Sequence, residues 1–310
     1  MITTPVRPDS YRLNKDEQDI LQAAANTARF DKCILKAPEK ESDEEKKERE
    51  EIEQSCIVSI CARYSNELEH KLPNLFRKIR SLRDLRISPG LLKVEDLPQV
   101  SDPRRITCIL GGMLGAVKKF DGEGNYVIAV KEEATKPGER PSFKNAREFF
   151  LHTDLSYSSQ PPEFMLLHSI VNNPSDGGFS VFCDVEKVIP QLSQRALDEL
   201  QKPNFLFPAA KHWKGVSVVK FPILRRDEES GAWRIRFRRD NLRTLTRTGI
   251  EAIIELVRAF EKASYETPLL PRSLVLVDNE AFLHGRTAFL GSRPSCEPRE
   301  ILRIYSSRNN

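Results

Sequence analysis

The stretch FFLHTDLSYSSQPPEFMLLHSIVNNPSDGGFSVFCD, residues 149–184, decides how this chain is built. It holds apolar runs at 164–171 and 179–185, separated by the turn-forming residues Asp176-Gly177-Gly178. Runs of this kind between glycine, proline and aspartate are typical of short β-strands. Many short strands with few crossover helices predict a barrel or a sandwich rather than a parallel α/β sheet. Similar runs recur at 106–117, 126–130, 216–224, 233–238, 273–279 and 301–305.

Helices are expected mainly in the first hundred residues. We predict one over residues 15–27, a second that begins with a capping box formed by Ser42 and Glu45, and a short third after Pro73. The second helix carries an apolar residue at every fourth position, which predicts one buried face, made of Ile52, Cys56, Ile60, Tyr64 and Leu68.

Beyond residue 106 only two predicted helices, near 185–201 and 248–263, interrupt the strands. We interpret Gly111-Gly112 as an irregularity in the strand over 106–117. The sequence therefore predicts two parts, a helical N-terminal region over 1–100 packed on a β-rich core over 101–310.

The composition excludes several classes of protein. The 310 residues carry a formal net charge of +4, which is too small on its own to indicate a nucleic-acid partner. No apolar run approaches the roughly 20 residues that a membrane-spanning helix needs. The six cysteines include no CxxC pair and are expected to be free thiols, and the N-terminus lacks the apolar stretch of a secretory signal. We therefore predict a cytoplasmic protein without a membrane partner.

One segment has an unusual charge pattern. Thirteen of the fifteen residues in 39–53 are charged, nine of them acidic. We interpret the segment as the solvated beginning of the second helix. The alternative is an interaction segment, which would make the chain a non-catalytic binding protein.

His152 and Asp154 are the first candidates for chemistry. Residues two apart on an extended chain point to the same face, so the imidazole and the carboxylate can converge on one point. A third nitrogen ligand would complete the 2-His-1-carboxylate set of non-haem Fe(II) oxygenases. An HxD motif alone also fits an ordinary His–Asp pair, so the rest of the sequence has to decide.

Three further segments complete a pattern. His284 follows an apolar strand in VLVDNEAFLHGRTAF, Arg299 begins REILRIY, and Ser180 lies in SDGGFSVFCD. Together with HTDLSY, these segments have an order and spacing that resemble the pattern of the taurine dioxygenase-like (TauD/TfdA) superfamily of Fe(II)- and 2-oxoglutarate-dependent oxygenases. The resemblance covers about residues 106–305. The segment 152–184 is also similar to gamma-butyrobetaine hydroxylase, a member of that superfamily.

The resemblance implies an α+β protein with a double-stranded β-helix (jelly roll, cupin-like) core. It implies that His152, Asp154 and His284 bind Fe(2+). It further implies that Arg299 binds the distal carboxylate of the cosubstrate 2-oxoglutarate, with Ser180 assisting. Arginine suits this role because its planar guanidinium fits a carboxylate with two parallel hydrogen bonds. O2 is then the oxidant, and succinate and CO2 are released.

Other residues near these motifs are weaker candidates. Arg303, four residues after Arg299, shares its strand face and could help to bind 2-oxoglutarate or an anionic substrate group. Arg286 and Tyr157 are candidates for substrate contact, with a structural ion pair and a packed core position as their respective alternatives. Asn279 is expected to fix the loop that presents the distal histidine ligand.

The remaining histidines are expected to be structural, with His168 in the core and His70 and His212 at the surface. Halogenases of the superfamily have a small residue in place of the carboxylate ligand, so Asp154 argues against halogenation.

We therefore predict a dioxygenase that hydroxylates a small polar substrate, such as an amino acid or derivative in a biosynthetic pathway. Desaturation, epoxidation and cyclisation by the same type of enzyme stay open. A cupin-like metal protein that does not use 2-oxoglutarate is a further alternative, and assembly into a homo-oligomer also stays open.

Overall fold

A computed structural model describes residues 9–30, 42–84, 90–119, 126–131, 147–172, 177–208, 219–240, 242–289 and 298–308. The helices are α1 (Lys15–Thr27), α2 (Asp43–Lys71), α3 (Pro73–Ser81), α4 (Pro103–Leu114), α5 (Val185–Val188), α6 (Gln194–Leu200) and α7 (Arg247–Ala263). Among the described helices, none is both long and apolar enough to cross a membrane.

The strands are β1 (Asp9–Arg12), β2 (Leu91–Glu95), β3 (Ala116–Lys118), β4 (Ile128–Lys131), β5 (Phe149–His152), β6 (Phe164–Val171), β7 (Ser180–Asp184), β8 (Phe205–Phe207), β9 (Val219–Phe221), β10 (Leu224–Arg226), β11 (Trp233–Ile235), β12 (Arg243–Thr244), β13 (Ser264–Thr267), β14 (Ser273–Asp278), β15 (Phe282–Arg286) and β16 (Glu300–Ser307). They fall mainly in three runs, β3 to β7, β8 to β12 and β13 to β16, which helices separate. The mixed α+β class predicted from the sequence is confirmed.

Two sheets make up most of the β-structure. The larger has seven strands in the order β1-β2-β14-β6-β16-β3, and β4 also pairs with β16. The smaller has four strands in the order β13-β7-β15-β5. All pairings in the two sheets are antiparallel except that of β1 with β2.

The period-2 alternation of the strands sends side chains to different cores. Phe182 and Phe282 of the smaller sheet pack against Met165 and Val275 of the larger one, so the two sheets face each other across an apolar layer. The opposite face of the larger sheet, including Leu166 and its neighbours, packs against helices α1 to α4. The N-terminal helices and the larger sheet therefore share one continuous core.

Most of the segment 106–117, where we expected a strand, belongs to helix α4, and only its last two residues lie in β3. Asp102 caps α4 by accepting a hydrogen bond from the Arg104 backbone N–H, and Pro103 occupies its first turn, a favoured helix start. The helix is apolar all round because it is buried between other helices and the larger sheet. The Gly111-Gly112 pair is not a strand irregularity, because both residues lie within α4. Glycine at position 112 allows α4 to pack closely on α2, since a Cβ there would lie 2.6 Å from the Cβ of Cys61.

Helix α2 begins with the predicted capping box of Ser42 and Glu45. Its buried face differs from the one we expected, because Ile52 is 57% exposed, whereas Ile57 and Cys61 are buried. A strict spacing of four advances about 40° per step around a helix with 3.6 residues per turn, so it drifts off one face. The real face alternates spacings of four and three, through Tyr64 and Leu68.

The structure also tests several predictions about individual histidines and cysteines. His168 is buried, with Thr107 Oγ1 2.9 Å from its Nδ1, and burial lowers its pKa to about 4. His70 is exposed, as expected. Three cysteines, Cys61, Cys108 and Cys183, are free buried thiols. Cys56 is disulfide-bonded, so the expectation of free thiols throughout is wrong there. The remaining predictions, for His212, Cys33, Cys296 and Asp176, lie outside the described residues.

Asp184 provides a test of the packing between the smaller sheet and α5. It caps α5 by accepting a hydrogen bond from Glu186 N at 2.9 Å, and burial raises its pKa from 3.8 to about 6. Because the folded pKa lies above the unfolded one, stability falls as the pH rises from about 4 through 6. Asp184→Asn keeps the capping oxygen without the charge. We expect it to raise the free energy of unfolding at pH 8 by about 1–3 kcal/mol, with no gain at pH 4.

The measurement is denaturant unfolding at both pH values. Asp198→Asn on the exposed face of α6 is the matched control, which removes a carboxylate without relieving burial. Equal pH dependence of the Asp184→Asn and wild-type proteins would contradict the assignment.

Candidate active site

His152, Asp154 and His284 meet at one end of the smaller sheet. His152 ends β5 and lies directly opposite His284 on the antiparallel strand β15, with ring centroids 4.3 Å apart. The Asp154 Oδ1 atom lies 3.4 Å from His152 Nε2 and 3.7 Å from His284 Nε2. The three potential ligand atoms lie within 4.8 Å of one another, and all three side chains are buried. The structure thus brings together the three predicted ligands.

Close packing of β5 on β15 sets this geometry. Gly285 follows His284, and a Cβ there would lie 2.6 Å from the carbonyl oxygen of Phe149. The register of the two strands also shifts between His284 and Arg286. Glycine therefore allows the strand that ends in His152 to approach the strand that carries His284.

The protonation state of His152 suits metal binding. Its Nδ1 lies 2.8 Å from the carbonyl oxygen of Phe150, which can only accept, so Nδ1 carries the proton and Nε2 keeps its lone pair. Burial, followed by the proximity of His284, lowers the pKa of His152 to about 4. Among the described residues no group hydrogen-bonds to the buried Nε2. A neutral imidazole held by a backbone carbonyl is the usual arrangement of a histidine metal ligand.

Asp154 is ionised in spite of its burial. Burial alone would raise its pKa, but the nearby positive charge of Arg303 holds the pKa well below its usual range. Two imidazoles and one carboxylate that share a face form the donor set of non-haem Fe(II) sites. The residues therefore fit a divalent iron ion.

The second carboxylate oxygen of Asp154 is held from strand β16. Tyr305 donates its O–H to Oδ2 at 2.8 Å, and Arg303 Nη1 lies 3.3 Å from the same atom. The Arg303 guanidinium also lies over the Tyr305 ring, 5.1 Å from its centroid. We did not predict Tyr305 from the sequence. Its position two residues after Arg303 on a strand was the available signal, since both side chains must share one face.

Asn279 holds the backbone of Asp154. Its Oδ1 accepts a hydrogen bond from Asp154 N at 2.8 Å, and its Nδ2 donates to the Asp154 and Pro162 carbonyl oxygens at 3.1 and 2.9 Å. Leu155, the next residue, has a φ of 53°, a backbone conformation that residues other than glycine rarely adopt. Asn279 lies in the loop between β14 and β15, so its side chain joins the loop before His284, as expected, to the segment that carries Asp154.

An open cleft of about 480 Å³ adjoins the two histidines. Arg299, which immediately precedes β16, and Ser180, which begins β7, both line it. Arg303 and Arg286 line the same cleft, and the remaining lining is largely apolar: Val130, Phe149, Met165, Leu167, Gly285 and Ile301. The structure thus places the four polar candidates beside the His–Asp–His cluster.

The two candidates for substrate contact, Arg286 and Tyr157, lie in different surroundings. Arg286 donates to the carbonyl oxygens of Thr287 and Arg147 at 3.0 and 2.7 Å, and its guanidinium lies 4.3 Å from the Phe289 ring centroid. Tyr157 is packed in the core between the smaller sheet and α7, and burial raises its pKa to about 12. Tyr157 is not among the residues that line the cleft.

The structure has two facing sheets, and a buried His–Asp–His cluster lies beside an arginine-rich cleft. These features are typical of a non-haem metal protein. Residues 63–305 match the family described as "Taurine catabolism dioxygenase TauD, TfdA family". The chain belongs to this family, which confirms the resemblance drawn from its motifs.

Individual relatives agree with this assignment. The chain is 28% identical over 181 residues to an L-asparagine oxygenase from Streptomyces coelicolor, a match that covers 57% of this chain and 53% of the relative. The match thus spans about half the length of that curated relative.

Two solved structures show that the fold is shared. An asparagine oxygenase in complex with Fe(II), 2S,3S-3-hydroxyasparagine and succinate superposes with a TM-score of 0.73 at 19% identity, covering 96% of this chain and 93% of that one. The non-haem iron oxygenase OrfP in complex with Fe and alpha-ketoglutaric acid gives a TM-score of 0.72 at 14% identity, covering 97% and 94%.

The role of Asn279 can be tested directly. Asn279→Ala removes three hydrogen bonds from the segment that carries Asp154, so the carboxylate loses its fixed position. We expect Fe(II) affinity, measured by anaerobic titration, to fall by about 10- to 100-fold. Asn172→Ala is the matched control, since Asn172 is another buried asparagine that donates to a backbone carbonyl, that of Leu269. Equal losses of Fe(II) affinity in the two variants would refute a specific role for Asn279.

Proposed function

We propose that the protein is an Fe(II)- and 2-oxoglutarate-dependent dioxygenase that hydroxylates a small polar substrate, an amino acid or a derivative of one. The observation that carries this proposal is the buried set of His152, Asp154 and His284, whose ligand atoms lie within 4.8 Å of one another. The relatives support it, since one is named for oxygenation of L-asparagine and another was solved with alpha-ketoglutaric acid.

The residues of the triad would hold the iron through His152 Nε2, Asp154 Oδ1 and His284 Nε2. Iron bound there supplies, with 2-oxoglutarate, the activation of O2 that allows an unreactive C–H bond to be oxidised. The protein contributes a buried site in which the His152 imidazole stays neutral and the Asp154 carboxylate stays charged.

Arg299 is our candidate for binding the distal carboxylate of 2-oxoglutarate. Its side chain is 8% exposed and borders the same cleft as His284, so its charge acts in a poorly solvated environment where a carboxylate partner is held strongly. Ser180 lies on the cleft wall and supplies a hydroxyl that can donate a further hydrogen bond.

Arg303 and Arg286 are our candidates for an anionic group of the substrate, such as an amino-acid carboxylate. Arg303 directs Nη1 toward Asp154, so it contacts the ligand set as well as the cleft. With Arg299 assigned to 2-oxoglutarate, two further cationic side chains on the cleft wall favour a small acidic or zwitterionic substrate. Tyr157, in the adjacent core, stays a weaker candidate for substrate contact.

We also propose that the two facing sheets form a double-stranded β-helix, with residues 1–100 packed against residues 101–310. The antiparallel pairing and the apolar layer between the sheets support this arrangement. A cytoplasmic location and assembly into a homo-oligomer stay predictions.

The proposed activity is tested by substrate-dependent succinate release. Purified protein with Fe(II), 2-oxoglutarate and O2 is incubated with a panel of amino acids that includes L-asparagine and L-arginine. We expect one compound to stimulate succinate release and to gain 16 mass units, whereas a loss of 2 units would indicate desaturation. His152→Ala and Asp154→Ala should abolish the reaction. Full activity in the chelated, metal-free protein would refute the proposal.

Substitution of Arg299, which directly precedes β16, and of Arg303, within β16, should have different effects on the binding of 2-oxoglutarate. Arg299→Ala should leave Fe(II) binding intact and weaken 2-oxoglutarate binding by about 1.5–3 kcal/mol, because a two-pronged, charge-assisted contact is lost. Arg303→Ala should weaken 2-oxoglutarate less. Anaerobic titration that follows the colour of the Fe(II)–2-oxoglutarate complex measures both. A greater loss in Arg303→Ala would reverse the assignment.

A further inference from the structure

The carboxylate of Asp154 has two oxygen atoms in different surroundings. Oδ1 faces the two imidazoles, at 3.4 and 3.7 Å from their Nε2 atoms. Oδ2 faces away from them and lies 2.8 Å from the Tyr305 hydroxyl and 3.3 Å from Arg303 Nη1. Each oxygen therefore has its own set of partners.

The partners of Oδ2 belong to a strand that cannot shift easily. Tyr305 is 3% exposed and sits in the apolar layer between the two sheets. Strand β16 pairs with β6 on one side and with both β3 and β4 on the other, which fixes its register on both edges. The Tyr305 hydroxyl therefore approaches Asp154 from a rigid part of the larger sheet, whereas the three ligands come from the smaller sheet and its adjoining loop.

We propose that Tyr305 is a positioning residue that keeps Asp154 a one-oxygen ligand. Its hydrogen bond, with the contact from Arg303, occupies Oδ2 and leaves only Oδ1 free to bind the metal. The inference rests on the proposed iron site and adds to it a fourth residue, which contacts neither metal nor cosubstrate.

The count of coordination positions gives this restraint a purpose. Three protein ligand atoms leave three of six octahedral positions for exogenous ligands. A carboxylate that bound through both oxygens would take one of them. A fixed donor to Oδ2 opposes that arrangement, because the hydrogen bond to the charged oxygen would have to be broken.

Tyr305→Phe tests the inference, since it removes the hydroxyl and keeps the ring on which the Arg303 guanidinium lies. We expect Fe(II) affinity to fall by about 10- to 100-fold in anaerobic titration. We also expect the near-infrared ligand-field bands of the Fe(II)-saturated variant to shift, because the set of coordinating oxygens changes. A merely structural role would leave the bands of the saturated protein unchanged.

Tyr265→Phe is the matched control. Tyr265 packs against the same apolar layer, and its buried hydroxyl has no hydrogen-bond partner among the described residues. This variant should retain wild-type Fe(II) affinity and the wild-type spectrum, which would assign the Tyr305→Phe effects to the contact with Asp154.

Wild-type affinity and an unshifted spectrum in Tyr305→Phe would overturn the positioning role while leaving the iron site intact. The absence of Fe(II) binding in the wild-type protein would instead refute the proposed function, and the inference with it. Thermal unfolding of the metal-free variants shows whether each of them is folded.

Discussion

Nearly every polar atom of Asp154 contacts another residue, and these contacts fix the position of its carboxylate. Its backbone N–H and carbonyl bond to the Asn279 amide, one carboxylate oxygen faces the two histidines, and the other accepts from Tyr305. These partners come from the loop after β14, from both ligand strands and from β16. The geometry of the His–Asp–His cluster therefore depends on how the two sheets are placed against each other, and any change in that placement would move the carboxylate.

The rest of the architecture serves to hold that placement. An apolar layer that contains Phe182, Phe282 and Tyr305 separates the sheets and fixes their distance. On the outer face of the larger sheet, α4 is buried by α1, α2 and α3, so β16 is supported from behind as well as along both edges. Helix α7 and its neighbours cover the smaller sheet in the same way. Packing on the outer faces of both sheets supports the strands that keep both imidazoles close to a single carboxylate oxygen.

The sequence was informative where chemistry or periodicity is local. Strand β6 spans the predicted residues 164–171, and the HxD motif, the distal histidine, Arg299 and Ser180 all border one site. It misled where burial overrides local pattern. The apolar segment 106–117 reads as a strand, but an aspartate and a proline begin a helix there, and tertiary packing accepts apolar side chains all round it. In α2, a repeat of four drifts away from the face that is actually buried.

The contacts with Asp154 that sequence reasoning missed act across long separations. Asn279 contacts Asp154 from 125 positions away, and Tyr305 contacts it from 151 positions away. Spacing can place Tyr305 on the same strand face as Arg303, but it does not identify Asp154 as the partner, because that depends on which strands become neighbours in the folded sheets. The candidate ligands are recognisable from the sequence because an Fe(II) site of this type needs particular side chains. The groups that orient them need only supply a hydrogen bond from the right direction, so many residue types would serve, and only the packed structure identifies the ones that do.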